Sequence, residues 1–383
     1  MRRITDCYRT TQPALEPMLD VIERFISDRR LAEAQAWVET CRAAVSEAEV
    51  EQDDPRVTRL WCHRTELAYG AGRLGEALDG ANEVFKRRPT ASLRAQAARL
   101  TALAYLRRAQ TTDAMTWARR AVDEARDVDS PLARGHAHRA LGWITLRAGD
   151  LEESVREMLR AADIYAEADL FEYQGLAASG ASEGLRLLGR SDEAHHWLDR
   201  ALSLVSPEVH RGPWGEVMIV AGVLAEEEDR IQDARMMLIQ SIEALRVSGN
   251  ATQHIASTCL GLAELRFGDD SRAVSMFRET IEMTERRAPI FAYVGRMGML
   301  YAAAIAGDTQ SWDRFYLELS AQSTRFRLLD LARYAGYAST AWQRLGDERR
   351  QRESLELASM LCGAWPHPTK ERFASQLEQQ CVS

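Results

Sequence analysis

Long apolar runs, paired cysteines and lysine are all scarce in this chain of 383 residues. The strongest apolar stretches, 217–225 and 297–307, extend over about ten residues, half of the roughly twenty a membrane-spanning helix needs. The opening MRRITDCYRTTQP is too polar for a secretory leader. Membrane insertion is therefore not expected, and the expected location is cytoplasmic. The cysteines, Cys7, Cys41, Cys62, Cys259, Cys362 and Cys381, are scattered without a CxxC pair or a zinc-like Cys/His spacing. Free thiols of this kind suit a reducing cytosol. Lysine occurs only at Lys86 and Lys370, with arginine everywhere else, a usage typical of a GC-rich bacterial genome.

What is present argues for a large core. Hydrophobic residues make up 46% and charged residues 28%, a composition unlike that of disordered chains. A net charge of −8 excludes a non-specific nucleic-acid binder, which needs a basic surface, so no direct nucleic-acid contact is expected.

The dominant signal is a period of about 39–40 residues. Side chains at 34, 77, 114, 154, 194, 234, 273, 312 and 351 each open an apolar stripe continued four and seven places on. That spacing puts three residues on one helical face. Examples are Ala34, Val38, Cys41; Ala77, Ala81, Val84; Ala114, Ala118, Ala121; Ser154, Met158, Ala161; Ala194, Leu198, Ala201; Ala234, Leu238, Ser241; and Ala273, Phe277, Thr280. A small opener lets two helices approach closely. Five residues earlier stands Gly72, Gly149, Gly189, Gly268, Gly307 or Gly346, suited to the left-handed end of a preceding helix. Asp150, Asp269, Asp308 and Asp347 follow as predicted N-caps.

These features resemble the tetratricopeptide repeat. Trp61, Gly72, Ala77 and Pro89 match its landmarks in the second unit, Tyr105 in the third, and the pairs Leu141-Gly142 and Leu260-Gly261 in the fourth and seventh. The resemblance implies an all-α, right-handed superhelical solenoid of about nine antiparallel helix pairs with a C-terminal capping helix. The expected organisation is an N-terminal segment at 1–16, repeats one to five at 17–206, a hinge loop at 207–213, repeats six to nine at 214–362, and a cap at 363–383. The hinge rests on Pro207, Gly212 and Pro213, a merely longer turn being the plainer alternative. The last two units depart from the pattern, with Trp312 and Gln351 at the small position. The period exceeds the family's usual 34.

No catalytic site is expected. Gly180-Ala181-Ser182-Glu183-Gly184 matches G-x-S-x-G, but that motif needs a strand and a sharp turn, and here it falls within a helix pattern. His136 and His138 point apart on a helix, and no metal, phosphate or calcium motif appears, so neither metal nor cofactor is expected. Trp37, Trp117 and Trp197 share one place in three second helices, where they are expected to line hairpin junctions.

In tetratricopeptide superhelices the first helices line a concave groove, and the resemblance implies the same here. The face opposite each packing stripe then supplies the candidate partner-binding residues Arg59, Glu66, Tyr69, Arg99, Arg107, His136, Arg139, Trp143, Arg147, Glu183 and Arg186. Arginines around a tryptophan suit carboxylates beside an apolar anchor. The run Glu226 to Asp229 predicts a change of sign along the groove. The expected function is a non-catalytic adaptor or scaffold holding another protein or a peptide segment of acidic character, with self-association left open. The alternative is a regulator of bacterial signalling or transcription that senses a peptide or small ligand. Quorum-peptide receptors of this fold grip a peptide backbone with asparagines from several first helices. Here the two asparagines, Asn82 and Asn250, are both expected outside them.

Overall fold

The computed structural model describes residues 15–27, 31–47, 54–87, 89–250, 252–286, 288–323 and 329–362. The expected cap at 363–383 and most of the segment 1–16 lie outside them. Described helices alternate in two sets. The first helices of the hairpins are α1 (Leu15–Ser27), α3 (Pro55–Gly70), α5 (Ala91–Arg107), α7 (Pro131–Ala148), α9 (Phe171–Leu188), α11 (Arg211–Glu227), α13 (Gln253–Phe267), α15 (Pro289–Ala306) and α17 (Leu329–Arg344). The second helices are α2 (Leu31–Glu47), α4 (Leu74–Lys86), α6 (Thr111–Ala125), α8 (Leu151–Ala166), α10 (Ser191–Leu204), α12 (Ile231–Val247), α14 (Asp270–Thr284), α16 (Thr309–Gln322) and α18 (Glu348–Cys362). No described residue is in a strand.

Each of the nine openers is the fourth residue of a second helix. The sequence period therefore counts hairpins one for one. From the second hairpin to the seventh the opener and its successors four and seven places on are buried, as at Ala114, Ala118 and Ala121. Cys41 fills the same slot in the first hairpin, and burial pushes its thiol up to about 12. In the eighth, Trp312 is fully buried edge-on against Trp342, and its indole N–H donates to Glu353. In the ninth the stripe slips by three residues to Ser354, Leu357, Ala358 and Leu361, leaving Gln351 half-buried.

The turns follow a fixed chemistry. The residue five before the opener has positive φ in every hairpin from the second on, at Gly72, Ala109, Gly149, Gly189, Asp229, Gly268, Gly307 and Gly346. All four predicted caps form, with Asp150, Asp269, Asp308 and Asp347 accepting the backbone N–H three residues on.

Large stripe residues are housed by glycines on the flanking first helices. A Cβ at Gly142 or Gly180 would come within 2.9 and 2.7 Å of Met158, and one at Gly261 or Gly298 within 2.6 and 2.4 Å of Phe277. The G-x-S-x-G segment is therefore packing apparatus: Ser182 is buried and donates to the Ala194 carbonyl, while Gly184 makes room for Val155.

Trp37, Trp117 and Trp197 pack at junctions between neighbouring hairpins, Trp117 with its ring centroid 5.3 Å from that of Phe85. Between α10 and α11, residues 205–210 form a short turn. Gly212 and Pro213 belong to the first turn of α11, where a missing N–H costs nothing. The core continues across it, from Leu198 and Ala201 to Val217 and Ala221.

Helix α15 is the one described helix long and apolar enough to cross a membrane, a longer span than the 297–307 run because residues 289–296 extend it. Its Tyr293, Met297 and Leu300 are buried in the core of the array, and Ala292 is buried as well. That core also joins Leu146 and Leu187, near the ends of α7 and α9, to Tyr301, Tyr334 and Trp342. The later hairpins thus curl back toward the middle of the array.

Candidate ligand-binding groove

The curl encloses a groove of about 510 Å³. Its described lining comes from the first helices, from cap residues before them and from Gly249 and Asn250, and from no second helix. All the sequence candidates line it except Arg59 and Arg186. Arg59 is turned toward α1, where it meets Glu16 and Asp20 at 2.7 and 2.8 Å and also Glu23. Arg186 is buried and joins Glu183 at 2.9 Å and Glu227. Both are claimed by intramolecular partners, and of these only Glu183, three residues before Arg186 on the same helix, is visible in a helical projection.

At one end Glu66 accepts from Arg99 and Gln96, each at 3.0 Å. Burial raises its carboxyl, but the charge and hydrogen bond of Arg99 prevail and hold it below the ordinary glutamate value. Arg107 lies 3.9 Å over the Tyr69 ring and donates to the Tyr69 carbonyl. His63, on the same face of α3, is 3% exposed with neither ring nitrogen hydrogen-bonded. Burial lowers its pKa below the usual histidine value.

The centre is built on α7 and α9. Beneath them Tyr165 of α8 is fully buried, in space that Gly135 leaves open, since a Cβ there would lie 2.4 Å from the tyrosine ring. Its hydroxyl lies 2.5 Å from Nδ1 of His136 and is hydrogen-bonded by Arg139. Burial pushes that hydroxyl above the ordinary tyrosine value. Tyr173 meets His136 edge-on at 4.8 Å. One buried phenol thus orients two of the polar groups that α7 presents to the groove, His136 and Arg139. Tyr165 was invisible to a search of first helices because it rises from a second.

The acidic run does not give the groove a second sign, because arginines neutralise it. Glu226 meets Arg266 at 2.7 Å and Arg333 at 2.9 Å, Glu227 meets Arg186 and Arg333, and Asp229 meets Arg266 at 2.7 Å. The far part of the lining, absent from the candidates, includes Asn250, His254, Thr258 and Tyr334. Asn250 precedes α13, yet it reaches the groove, donating to Glu216 at 2.6 Å and accepting from Thr252.

No family model matches the sequence, and no curated protein does. Solved structures are more informative. A Rap protein complexed with competence and sporulation factor has a TM-score of 0.70 at 11% identity, covering 97% of this chain and 100% of that one. This chain has the tetratricopeptide-like solenoid fold. The Rap conjugation gene regulator of plasmid pLS20, in complex with the Phr* peptide, shares that solenoid with a TM-score of 0.60 at 14% identity, over 96% of each chain. Aspartyl phosphate phosphatase F from Bacillus subtilis shares it with 0.55 at 12%, over 91% of this chain and 94% of that one.

Proposed function

We propose that this chain is a cytoplasmic bacterial regulator that binds a short peptide in its concave groove and passes the bound state on to a partner protein. The observation that carries this is the groove itself, enclosed by first helices and the residues that lead into them. Its volume falls within the range of about 300–1,000 Å³ typical of small-ligand sites. Such a space suits a few residues of extended chain better than a folded domain. Two of the similar structures carry, respectively, competence and sporulation factor and the Phr* peptide, which favours the sensing reading over a general scaffold. One neighbour bears the name of a phosphatase, so the fold alone does not decide between binding and catalysis. The binding reading rests on the lining, where Glu66 is committed to Arg99 and Glu183 to the buried Arg186. The proposed contacts are Glu66, Tyr69, Arg99, Arg107, His136, Arg139, Trp143, Arg147 and Glu183.

The test is thermal unfolding of the purified chain with pools of synthetic pentapeptides. A bound peptide raises the melting temperature with the logarithm of its concentration once that exceeds Kd, and Trp143→Ala abolishes the rise. A chain that ignores every pool yet co-elutes with a folded protein is a scaffold instead.

A further inference from the structure

Of the arginines that line the groove, Arg99 is matched by Glu66 and Arg333 by Glu226 and Glu227, while Arg107 donates to the Tyr69 carbonyl and lies over its ring. Arg139 differs from Arg99 and Arg333. It is half-buried and lines the groove, its hydrogen bond goes to the neutral Tyr165 hydroxyl, and among the described residues it has no ion pair. Glu172, in the first turn of α9, is the mirror case: half-buried, lining the groove, and without a cation among the described residues.

The two do not neutralise each other because the helices hold them apart. Arg139 stands about seven residues further along α7 than Glu172 along α9, an axial offset of roughly 10 Å at the helical rise. Neighbouring packed helices are about 9 Å apart, so the two Cα atoms are about 14 Å from each other. A guanidinium cannot relieve its burial by losing a proton, and an ionised group removed from water gains most from a counter-charge. Tyr173 and Leu176 of α9 also line the groove and give it an apolar floor in this section.

Resting on the peptide-binding reading, we propose that the ligand is a zwitterionic peptide lying extended across α7 and α9. It places a carboxylate on Arg139, a cationic group on Glu172, and an apolar side chain against Tyr173 and Leu176. At about 3.3 Å per residue the two charges are separated by about three or four residues. The carboxylate is a chain terminus or an acidic side chain, and the cation an amino terminus or a basic side chain.

Calorimetric titration of a pentapeptide library built from Lys, Glu, Leu and Ala, with free or blocked termini, tests this. It is run on the wild type, Arg139→Gln, Glu172→Gln and the exchanged pair Arg139→Glu/Glu172→Arg, after circular dichroism melts establish that each is folded. The wild type selects peptides carrying both charges, and each single variant weakens them about tenfold or more. The exchanged pair prefers peptides of reversed charge order. Loss of binding on amidation or acetylation identifies a terminus as the source of that charge. Selection of uncharged peptides, or equal affinity for all four proteins, overturns the charge pairing and leaves peptide binding standing. A wild type that binds no member overturns both.

Discussion

Arg333 of α17 clasps Glu227 of α11 across 106 positions of sequence, and Arg186 of α9 holds the same carboxylate. First helices of the fifth, sixth and ninth hairpins therefore meet through side chains. In a repeat array stability comes mainly from neighbouring units, and this contact adds a bond between distant ones. Arg333 also takes Glu226 at 2.9 Å, and both members of that pair are buried.

Removing one partner of a buried ion pair costs about 3–5 kcal/mol, because the other is left uncompensated. Arg333→Met is accordingly expected to lower the stability of the later hairpins and to loosen the curl. Small-angle scattering should show a larger radius of gyration than wild type. An unchanged profile with an unchanged melting temperature means that the clasp contributes nothing to shape.

The turn positions give a second prediction. Ala109 and Asp229 adopt φ of 57° and 62° where other hairpins use glycine. The left-handed region costs an L-residue roughly 1–2 kcal/mol, against which glycine adds about 0.4–1 kcal/mol of unfolded-state entropy. Ala109→Gly should therefore stabilise by about 0.5 kcal/mol in urea unfolding, whereas Gly149→Ala should destabilise. Destabilisation by Ala109→Gly would mean that strain at that turn is negligible.

Phe277 and Gly298 make a third case. A methyl group at 298 would sit 2.4 Å from the Phe277 ring, and overpacking of a filled core costs about 1–3 kcal/mol. Gly298→Ala should lose that much, and Phe277→Leu in the same chain should recover part of it. Additive losses in the double-mutant cycle would show the two sites to be independent.

These pairs also mark what the sequence reveals and what it conceals. The openers from Ala34 to Ala273 were readable because small residues at helical spacing need no distant partner to explain them. The left-handed turns at Ala109 and Asp229 lacked the glycine signal, yet they obey the same phase. Groove candidates chosen as the face opposite the packing stripe mostly reached the lining, Arg139 and Trp143 among them. Arg59 and Arg186 did not, because carboxylates from other hairpins, Glu16 and Asp20 for the first and Glu227 for the second, help to capture them. Asn250 was set aside and Tyr334 passed over because their approach to the groove depends on the curvature of the whole array, which no single repeat encodes.

His63 provides the last test. Its ring is buried in α3 between charged neighbours: Glu66 and Arg59 on its own helix, Glu23 and Asp20 on α1. Neither nitrogen finds a hydrogen bond, and burial keeps the folded-state pKa below the ordinary 6.5. The unfolded chain therefore takes up this proton before the folded one does. Stability tied to His63 is complete above the unfolded value and is lost as pH falls from there through the folded value. Urea unfolding followed from pH 8 to about pH 5 should show declining stability in the wild type, with a smaller decline in His63→Phe. That substitution also replaces an unsatisfied polar ring by an apolar one of similar shape, a change that is nearly neutral or stabilising at neutral pH. If both chains lose stability in parallel, the titration belongs to another group. If His63→Phe is strongly destabilised at pH 8, the imidazole has a partner that makes it more than a buried, neutral filler.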